Sequence, residues 1–255
     1  MPPVLTPFVL ALAGALGGAV NALAGGGTLI TFPSLLACGV LPVNANATST
    51  IALVPGSLSA FWGFRHAVGS DRRDLAWMAL PSVIGGVLGA LLVLWAGNEL
   101  FARIVPWLIY GATLLFIAQA PIKRWVDRRI GHDEHGHRRR ILQVATQLLI
   151  AIYGGFFGAA MGILMLALLG VVGAGDMTRM NGLKNFAAVC INAVAAITFA
   201  AGGHVQWQLA LCLTVGAVSG GYVAARMSQR IDVRFVRALV IIVGMGMGTY
   251  ALFKA

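Results

Sequence analysis

Long stretches without a charged side chain constrain this sequence more than any other feature. No Asp, Glu, Lys or Arg precedes Arg65, and later charge-free stretches cover residues 75–98, 104–122, 141–175, 185–225 and 238–253. Most of them approach or exceed the roughly 20 residues that a helix needs to cross a bilayer. With 59% hydrophobic and 10% charged residues, the chain has too little polar sequence to cover a soluble globule of its size. The sequence therefore predicts an all-α, polytopic membrane protein.

The basic residues predict which loops face the cytoplasm. The net charge is +10, and its densest part is the loop at 120–140, which holds Lys123, Arg124, Arg128, Arg129, Arg138, Arg139 and Arg140. The positive-inside rule places this loop and the loops near Arg72 and Arg234 inside, and the loops near Glu99 and His204 outside. No nucleic-acid-binding motif surrounds these residues, so we expect the lipid bilayer, and no nucleic acid, as a partner.

A shift of 135 positions aligns the two halves of the chain. It pairs Gly27 with Gly162 and Asn46 with Asn181. Loops that correspond under this shift have opposite charge bias, which indicates an inverted-topology repeat. We therefore divide the chain into a first transmembrane repeat at 1–119, a basic cytoplasmic connecting loop at 120–140 and a second transmembrane repeat at 141–255.

Each repeat contains one apolar segment that is too short to span a bilayer alone. Residues 28–38 and 162–172 would each rise only about 16 Å as a helix, and glycines surround both. We expect broken or re-entrant short helices with ends near the membrane midplane. If these two short helices are counted as crossings, the chain has ten elements and both termini lie outside. If they are not counted, it has eight spans. The first helix, at about 4–24, has no basic residue before it, so we interpret it as a retained span.

Two polar clusters interrupt the apolar sequence at corresponding places. One lies at 44–50 and the other at 181–185, and their side chains include those of Asn46, Thr48, Ser49, Asn181, Lys184 and Asn185. Polar groups in hydrocarbon are costly and mostly line a cavity or a substrate path. We expect Asn44 or Asn46 to cap a helix that runs to about 64, and Asn181 to cap one that runs to about 200. Two such helix starts facing each other would form an anion site, although capping and interhelical hydrogen bonding alone explain the same residues.

Lys184 is the strongest single candidate for a substrate-binding residue. The next charged residue after it is Arg226, so its ammonium lies inside the membrane domain or near its edge. Contact with a substrate is one interpretation. The other is that Lys184 ends a loop, because Arg179 lies only five residues earlier.

The sequence predicts no catalytic residue, no metal site and no cofactor. Cys38, Cys190 and Cys212 have no paired spacing, so we expect free thiols. Residues 132–137 contain three histidines and two acids, but a short polar loop favours a solvated connector over a metal site. A membrane sulfur relay through Cys38 or Cys190 is an alternative from another class. Neither cysteine has a His or an acid nearby in the sequence to activate a thiolate.

Glycine-rich motifs occur in a fixed order along the whole chain. The first half contains Gly14-x-x-Gly17-Gly18, Ala24-Gly25-Gly26-Gly27, Pro33-x-Leu35, Gly39 and Ala45-x-Ala47-Thr48-Ser49. The second half contains Gly158-x-x-x-Gly162 and Asn181-Gly-x-Lys184-Asn185. With the chain length and the large basic central loop, this order resembles the TauE/SafE (TSUP) family of sulfite and organosulfonate exporters.

The resemblance implies a permease for a small sulfur-containing anion in the inner membrane of a bacterium. Carried over residue by residue, the resemblance marks Asn46, Thr48, Ser49, Asn181, Lys184 and Asn185. We predict that the substrate site also includes Asn21, Gly26 and Gly27 at the end of the first helix. The second half has Phe156 and Ala159-Ala160-Met161 in place of the region around Asn21 and the three glycines. The two half-sites are therefore expected to be unequal.

We expect a secondary transporter, not an enzyme, that carries sulfite, sulfoacetate or another organosulfonate. The anion would bind between the two repeats at the membrane midplane and move by alternating access. A membrane potential that is negative inside favours anion efflux, and the apolar stretches contain no Asp or Glu as a proton carrier, so export is the expected direction. An anion channel is the alternative. The sequence sets neither the coupling ion nor the oligomeric state, and a homo-oligomer stays open.

Overall fold

The described part of the chain consists of helices joined by short turns. A computed structural model describes residues 5–68, 72–127, 137–228 and 233–254, and these ranges contain no strand. The helices are α1 Thr6–Ala24, α2 Thr28–Ala37, α3 Pro42–Val68, α4 Arg72–Asp127, α5 His137–Phe156, α6 Met161–Val172, α7 Met177–Ala201, α8 Trp207–Arg226 and α9 Val233–Lys254. The all-α prediction is confirmed.

The longest helix is two helices joined at one glycine. Gly97 within α4 has φ 67° and ψ −179°, a conformation that lies outside any helix and that is essentially restricted to glycine. The break separates 72–96 from 98–127. The described ranges therefore hold ten helical segments, which matches the count that includes the two short elements.

Several helices are long and apolar enough to cross a membrane. Within the described ranges they are Thr6–Ala24, Met177–Ala201 and Trp207–Arg226, and the stretch Leu75–Ala118, which contains the break at Gly97, is also long and apolar enough. Large apolar side chains also face outward, including Trp95, which is 82% exposed, and Phe8, which is 72% exposed. Such side chains are suited to contact with lipid. The chain is a multi-pass membrane protein.

The two long polar helices begin earlier than the sequence predicts. α3 starts at Pro42, whose fixed φ suits the first position of a helix, and the side-chain oxygen of Asn98 accepts a hydrogen bond of 3.0 Å from the backbone N–H of Val43. α7 starts at Met177, and its cap is Asp176, which accepts from the backbone N–H of Arg179 at 2.8 Å.

The predicted caps are therefore wrong. Asn44, Asn46 and Asn181 all lie inside helices, because Pro42 and Asp176 start those helices upstream. An anion site built from helix starts at Asn46 and Asn181 is excluded by this geometry. These side chains are free for other contacts instead.

Both halves contain a long helix, a short helix and a second long helix in that order. α1, α2 and α3 follow this pattern, as do α5, α6 and α7. Gly25 precedes α2 with φ 75°, and Ala160 precedes α6 with φ 62°. These two residues are 135 positions apart, the same shift that relates the two halves of the sequence. The division into two repeats stays a proposal, and this correspondence supports it.

Helices from different halves pack closely through small residues. Gly14 and Gly18 of α1 lie against the backbone of Leu213 and Ala217 in α8, with no room for a side chain. Gly89 of α4 lies against the backbone of α5 in the same way. Small residues at a crossing allow helix backbones in a membrane to approach each other. The first long helix of each half is therefore packed onto the opposite half.

We predict that Gly216→Ala weakens the contact between α1 and α8. A Cβ at Gly216 would meet the carbonyl oxygen of Ala11 and lie 2.6 Å from the backbone nitrogen of Ala15. Overpacking of this kind costs about 1–3 kcal/mol. Gly111→Ala is the matched control, because nothing lies within 4 Å of a Cβ there. Thermal unfolding in detergent should show a lower midpoint for Gly216→Ala only, and equal midpoints for the two variants would contradict the packing.

Candidate functional site

The ammonium of Lys184 is bound to the C-terminal end of α1. Lys184 is 1% exposed, and its Nζ donates to the backbone carbonyls of Asn21 at 3.0 Å and Ala22 at 2.8 Å. The last four carbonyls of a helix have no partner within that helix. They also carry the negative end of the helix dipole, roughly half an elementary charge. The lysine therefore neutralises a buried helix end from the opposite half of the chain.

Asn185 reinforces the same contact. Its Nδ2 donates to the carbonyl of Ala22 at 3.1 Å and to the backbone carbonyl of Asn181 at 2.8 Å. Asn181 and Asn185 are 7% and 0% exposed. The side-chain oxygen of each has no hydrogen-bond partner among the described residues. Each of these two amides therefore has a buried acceptor without a donor.

Asn21 connects this group to α3. Its Nδ2 donates to the hydroxyl oxygen of Ser57 at 2.9 Å, while its carbonyl accepts from Lys184. Both Asn21 and Ser57 are buried. These contacts define what we call the Lys184 cluster: Asn21, Ser57, Asn181, Lys184 and Asn185.

A glycine at the start of α6 makes room for the lysine side chain and for the end of α1. The backbone N–H of Gly162 at the start of α6 donates to the carbonyl of Gly25 at 3.3 Å. A Cβ at Gly162 would lie 3.0 Å from Cδ of Lys184 and would overlap the backbone of Gly25. The breaks that precede α2 and α6 thus touch each other beside the cluster.

Gly26, Gly27 and Ser49 lie around the start of α2. Ser49 and the Thr31 hydroxyl are 2.6 Å apart, and Thr31 also donates to the carbonyl of Gly27 at 3.2 Å. Since a hydroxyl has one proton, Ser49 is the donor to Thr31. A Cβ at Gly27 would lie 2.9 Å from Cβ of Asn21, and one at Gly26 would collide with the ring of Phe116. These two glycines therefore permit close packing next to the Lys184 cluster.

Asn46 and Thr48 bind the ends of other helices. Nδ2 of Asn46 donates to the carbonyl of Phe156, the last residue of α5, at 3.1 Å. The hydroxyl oxygen of Thr48 accepts from the backbone N–H of Gln206, just before α8, at 3.0 Å. No hydrogen bond among the described residues joins either side chain to Lys184. The nine candidates therefore do not form one hydrogen-bonded group.

The hydrogen bonds of Asn46 and Lys184 are nonetheless made to corresponding places in the two halves. Phe156 and Asn21 are 135 positions apart and occupy corresponding places in α5 and α1. In each case, the carbonyl near the end of a first helix accepts a hydrogen bond from a long polar helix of the other half. One half supplies a neutral amide and the other supplies an ammonium. The positive charge makes the α1 end the stronger candidate for an anion site.

Comparison with known proteins identifies the family. Residues 10–251 match the family model described as Sulfite exporter TauE/SafE. The chain belongs to the TauE/SafE family.

The relatives of this TauE/SafE protein have similar lengths. A probable membrane transporter protein of Haemophilus influenzae is 26% identical over 245 residues, which cover 92% of this chain and 89% of the relative. The probable membrane transporter protein YfcA of Escherichia coli K12 is 26% identical over 252 residues, covering 97% and 90%. The probable membrane transporter protein ORF9 of a Sinorhizobium species is 27% identical over 243 residues, covering 93% and 89%.

The structure adds polar residues that sequence reasoning missed in this TauE/SafE chain. Thr31 and Ser57 are both fully buried and both contact predicted site residues. Each carries a hydroxyl within a charge-free stretch of sequence. That position is the only sequence signal that would have identified either residue as part of a site. A second buried pair, Gln147 and Ser82, joins α5 to α4 at 3.0 Å.

The remaining sequence features do not form a site in the described ranges. Cys38, Cys190 and Cys212 are free thiols and are partly buried. No group of three or more His, Cys, Asp or Glu side chains is close enough to hold a metal ion in that part of the chain. The acidic and histidine-rich residues at 132–135 lie outside the described residues.

We predict that Asn46→Leu destabilises the TauE/SafE chain more than Asn44→Leu does. Asn46 is fully buried, and its loss leaves the carbonyl of Phe156 without its donor. An unpaired buried polar group costs about 1–3 kcal/mol. Asn44 is partly exposed and lies two residues earlier in the same helix. Chemical unfolding in detergent measures the difference, and equal losses in the two variants would rule out a special role for the Asn46 amide.

Proposed function

We propose that this membrane transporter exports a small sulfur-containing oxyanion, such as sulfite, sulfoacetate or another organosulfonate, across the bacterial inner membrane. The Lys184 cluster is the proposed substrate site. The family supports a membrane transporter, and the charge of Lys184 supports an anion. The proposal includes alternating access between two repeats.

A buried ammonium without a counter-ion is the observation that carries this proposal. Lys184 is 1% exposed, and its partners within the described ranges are two neutral carbonyls. An ammonium has three N–H donors, so one is left for a ligand. An uncompensated charge inside a membrane protein is costly and commonly marks a substrate path. An anion would supply both the missing acceptor and the missing charge.

Ser57 provides a second unused donor in the Lys184 cluster. Its oxygen accepts from Nδ2 of Asn21, and its own proton has no acceptor among the described residues. Asn21 bonds to both Lys184 and Ser57, so the two unused donors belong to one group. A sulfite or sulfonate oxygen accepts hydrogen bonds from an ammonium and a hydroxyl together. This donor set favours an oxyanion over chloride, because several oxygens are able to accept separate bonds.

Burial of the cluster favours a carrier over a channel. Each of the five side chains in the Lys184 cluster is at most 7% exposed, so substrate access requires helices to move. The breaks at Gly25 and Ala160 are suited to such movement, because each separates a long helix from a short one. Membrane potential would drive efflux by about 2.3 kcal/mol per charge for each 100 mV. Export then needs no coupled ion.

The sulfur-relay alternative gains no support from this site. The five members of the Lys184 cluster include no cysteine. The free thiols lie elsewhere: Cys38 follows the end of α2, Cys190 is in α7 and Cys212 is in α8. Replacing Cys38 and Cys190 with serine should therefore leave transport unchanged.

We predict that a sulfur oxyanion stabilises the purified protein and that Lys184→Ala abolishes the effect. A ligand that binds only the folded state raises its stability by about 2.7 kcal/mol at a hundred times its dissociation constant. Thermal unfolding would be compared in sulfite, sulfoacetate, thiosulfate, taurine, sulfate and chloride. Arg65→Ala is the charge-matched control, since Arg65 stacks on Trp62 at 4.5 Å and lies outside the cluster.

Two results would overturn this assignment. One is stabilisation of Lys184→Ala by the same anion to the same extent as the unmodified protein. The other is the absence of any response to sulfur oxyanions in the unmodified protein. Flux into liposomes then separates a carrier, which saturates with substrate, from a channel, which does not.

A further inference from the structure

Asn192 of α7 is a buried amide that does not belong to the Lys184 cluster. Its side chain is 5% exposed, and it has no hydrogen-bond partner among the described residues. Taking an unpaired amide out of water costs free energy. Unpaired buried groups in native proteins commonly belong to functional sites or bind an ion or a water. Asn192 is therefore a candidate for contact with a ligand.

Asn192 lies on the same face of α7 as two members of the Lys184 cluster, Asn181 and Asn185. The spacings of four and seven residues place the three side chains within about 40° of one another around the helix. Asn185 bonds to the end of α1, and Asn192 is about 10 Å further along α7. The helix leads from there to the loop near His204, which the charge pattern places outside. Asn192 therefore lies on the outer side of the Lys184 cluster.

The neighbours of this face come from both halves of the chain. Phe186, about a third of a turn to one side of Asn192, packs against Phe61 of α3 with ring centroids 5.6 Å apart. Ile191, on the other side, packs against α5, since a Cβ at Gly154 would lie 3.1 Å from its Cγ2. Asn192 is thus directed between α3 of the first half and α5 of the second. The proposed transport path runs between the same two halves.

α3 has a polar face with the same spacing, formed by Asn46, Thr50 and Ser57. Asn46 bonds to the carbonyl at the end of α5, and Ser57 bonds to Asn21 near the end of α1. This face of α3 therefore connects the ends of both first helices. A shift of 135 positions pairs its three residues with Asn181, Asn185 and Asn192. By this correspondence, the third residue of the α7 face is expected beside the end of α5, as Ser57 lies near the end of α1.

We propose that Asn192 is a substrate-binding residue that donates hydrogen bonds to the anion on the outer side of the Lys184 cluster. The proposal rests on the proposed function and adds a second place where the oxyanion binds during export. The Asn192 amide has two N–H donors and no charge. An oxyanion held by neutral donors is bound less tightly than one beside an ammonium. A neutral site on the outer side is therefore suited to release of the anion.

Asn192→Leu tests this role, because leucine has a similar size and no donor. Flux of sulfite, sulfoacetate and thiosulfate would be measured in liposomes, together with thermal unfolding in detergent. We expect flux of the transported anion to fall by about tenfold or more, as for the loss of a hydrogen bond to a charged group. The unfolding midpoint without anion should stay the same or rise, since the amide has no partner to lose. The anion should still stabilise the variant through Lys184.

Two further variants make the test specific. Asn192→Ser keeps one donor, as Ser57 does at the corresponding place in α3, and should retain most of the flux. Thr198→Val is the matched control on the same helix, because the Thr198 hydroxyl already donates to the carbonyl of Val194 at 2.8 Å. It should transport like the unmodified protein.

Unchanged flux in Asn192→Leu would overturn the proposal. A lower unfolding midpoint in that variant would overturn it as well, since the amide would then stabilise the fold. Equal losses of flux in Asn192→Leu and Thr198→Val would show that any change in α7 slows transport, and the proposal would fail. Absence of flux in the unmodified protein contradicts the proposed function itself, so the two failures are distinguishable.

Discussion

The hydrogen bonds between the Lys184 ammonium and the last carbonyls of α1 are the interaction on which the centre of this protein depends. They join the second half of the chain to the first at a buried helix end. The Asn21 carbonyl also accepts from the backbone N–H of Gly25, and the Ala22 carbonyl also accepts from Asn185. A helix end in a membrane protein must find donors inside the protein, because lipid offers none. The lysine needs acceptors for the same reason. Each group therefore explains the burial of the other.

This contact requires a specific backbone around it. Gly25 ends α1 in a left-handed conformation and touches Gly162 at the start of α6, where a side chain would collide with both the backbone and the lysine stem. The crossings of α1 with α8 and of α4 with α5 use glycines in the same way. Each first helix therefore packs against the opposite half, and that same half supplies the polar partner of its end.

Sequence reasoning predicted the fold class and the broken elements well, and the site less well. Charge-free stretches identify membrane helices, and glycines bracket α2 and α6, because lipid and backbone geometry act locally on such residues. The starts of α3 and α7 were misplaced, since Pro42 and Asp176 compete with the asparagines that follow them. The carbonyl partners of Lys184 lie 162 and 163 residues away in the chain, and no local pattern reveals them. Ser57 was missed because a single hydroxyl gives no signal until Asn21 is placed beside it.

The most direct test of the proposed substrate site is to locate the bound anion. Selenite has the shape and charge of sulfite, and its selenium atom scatters anomalously, so a crystal of the protein soaked in selenite would show the site. We predict an anomalous peak next to Nζ of Lys184, at a distance that lets an oxygen of the anion accept a hydrogen bond from Nζ, and close to the hydroxyl of Ser57. A peak beside Asn46 and Thr48 instead, with none at Lys184, would contradict it.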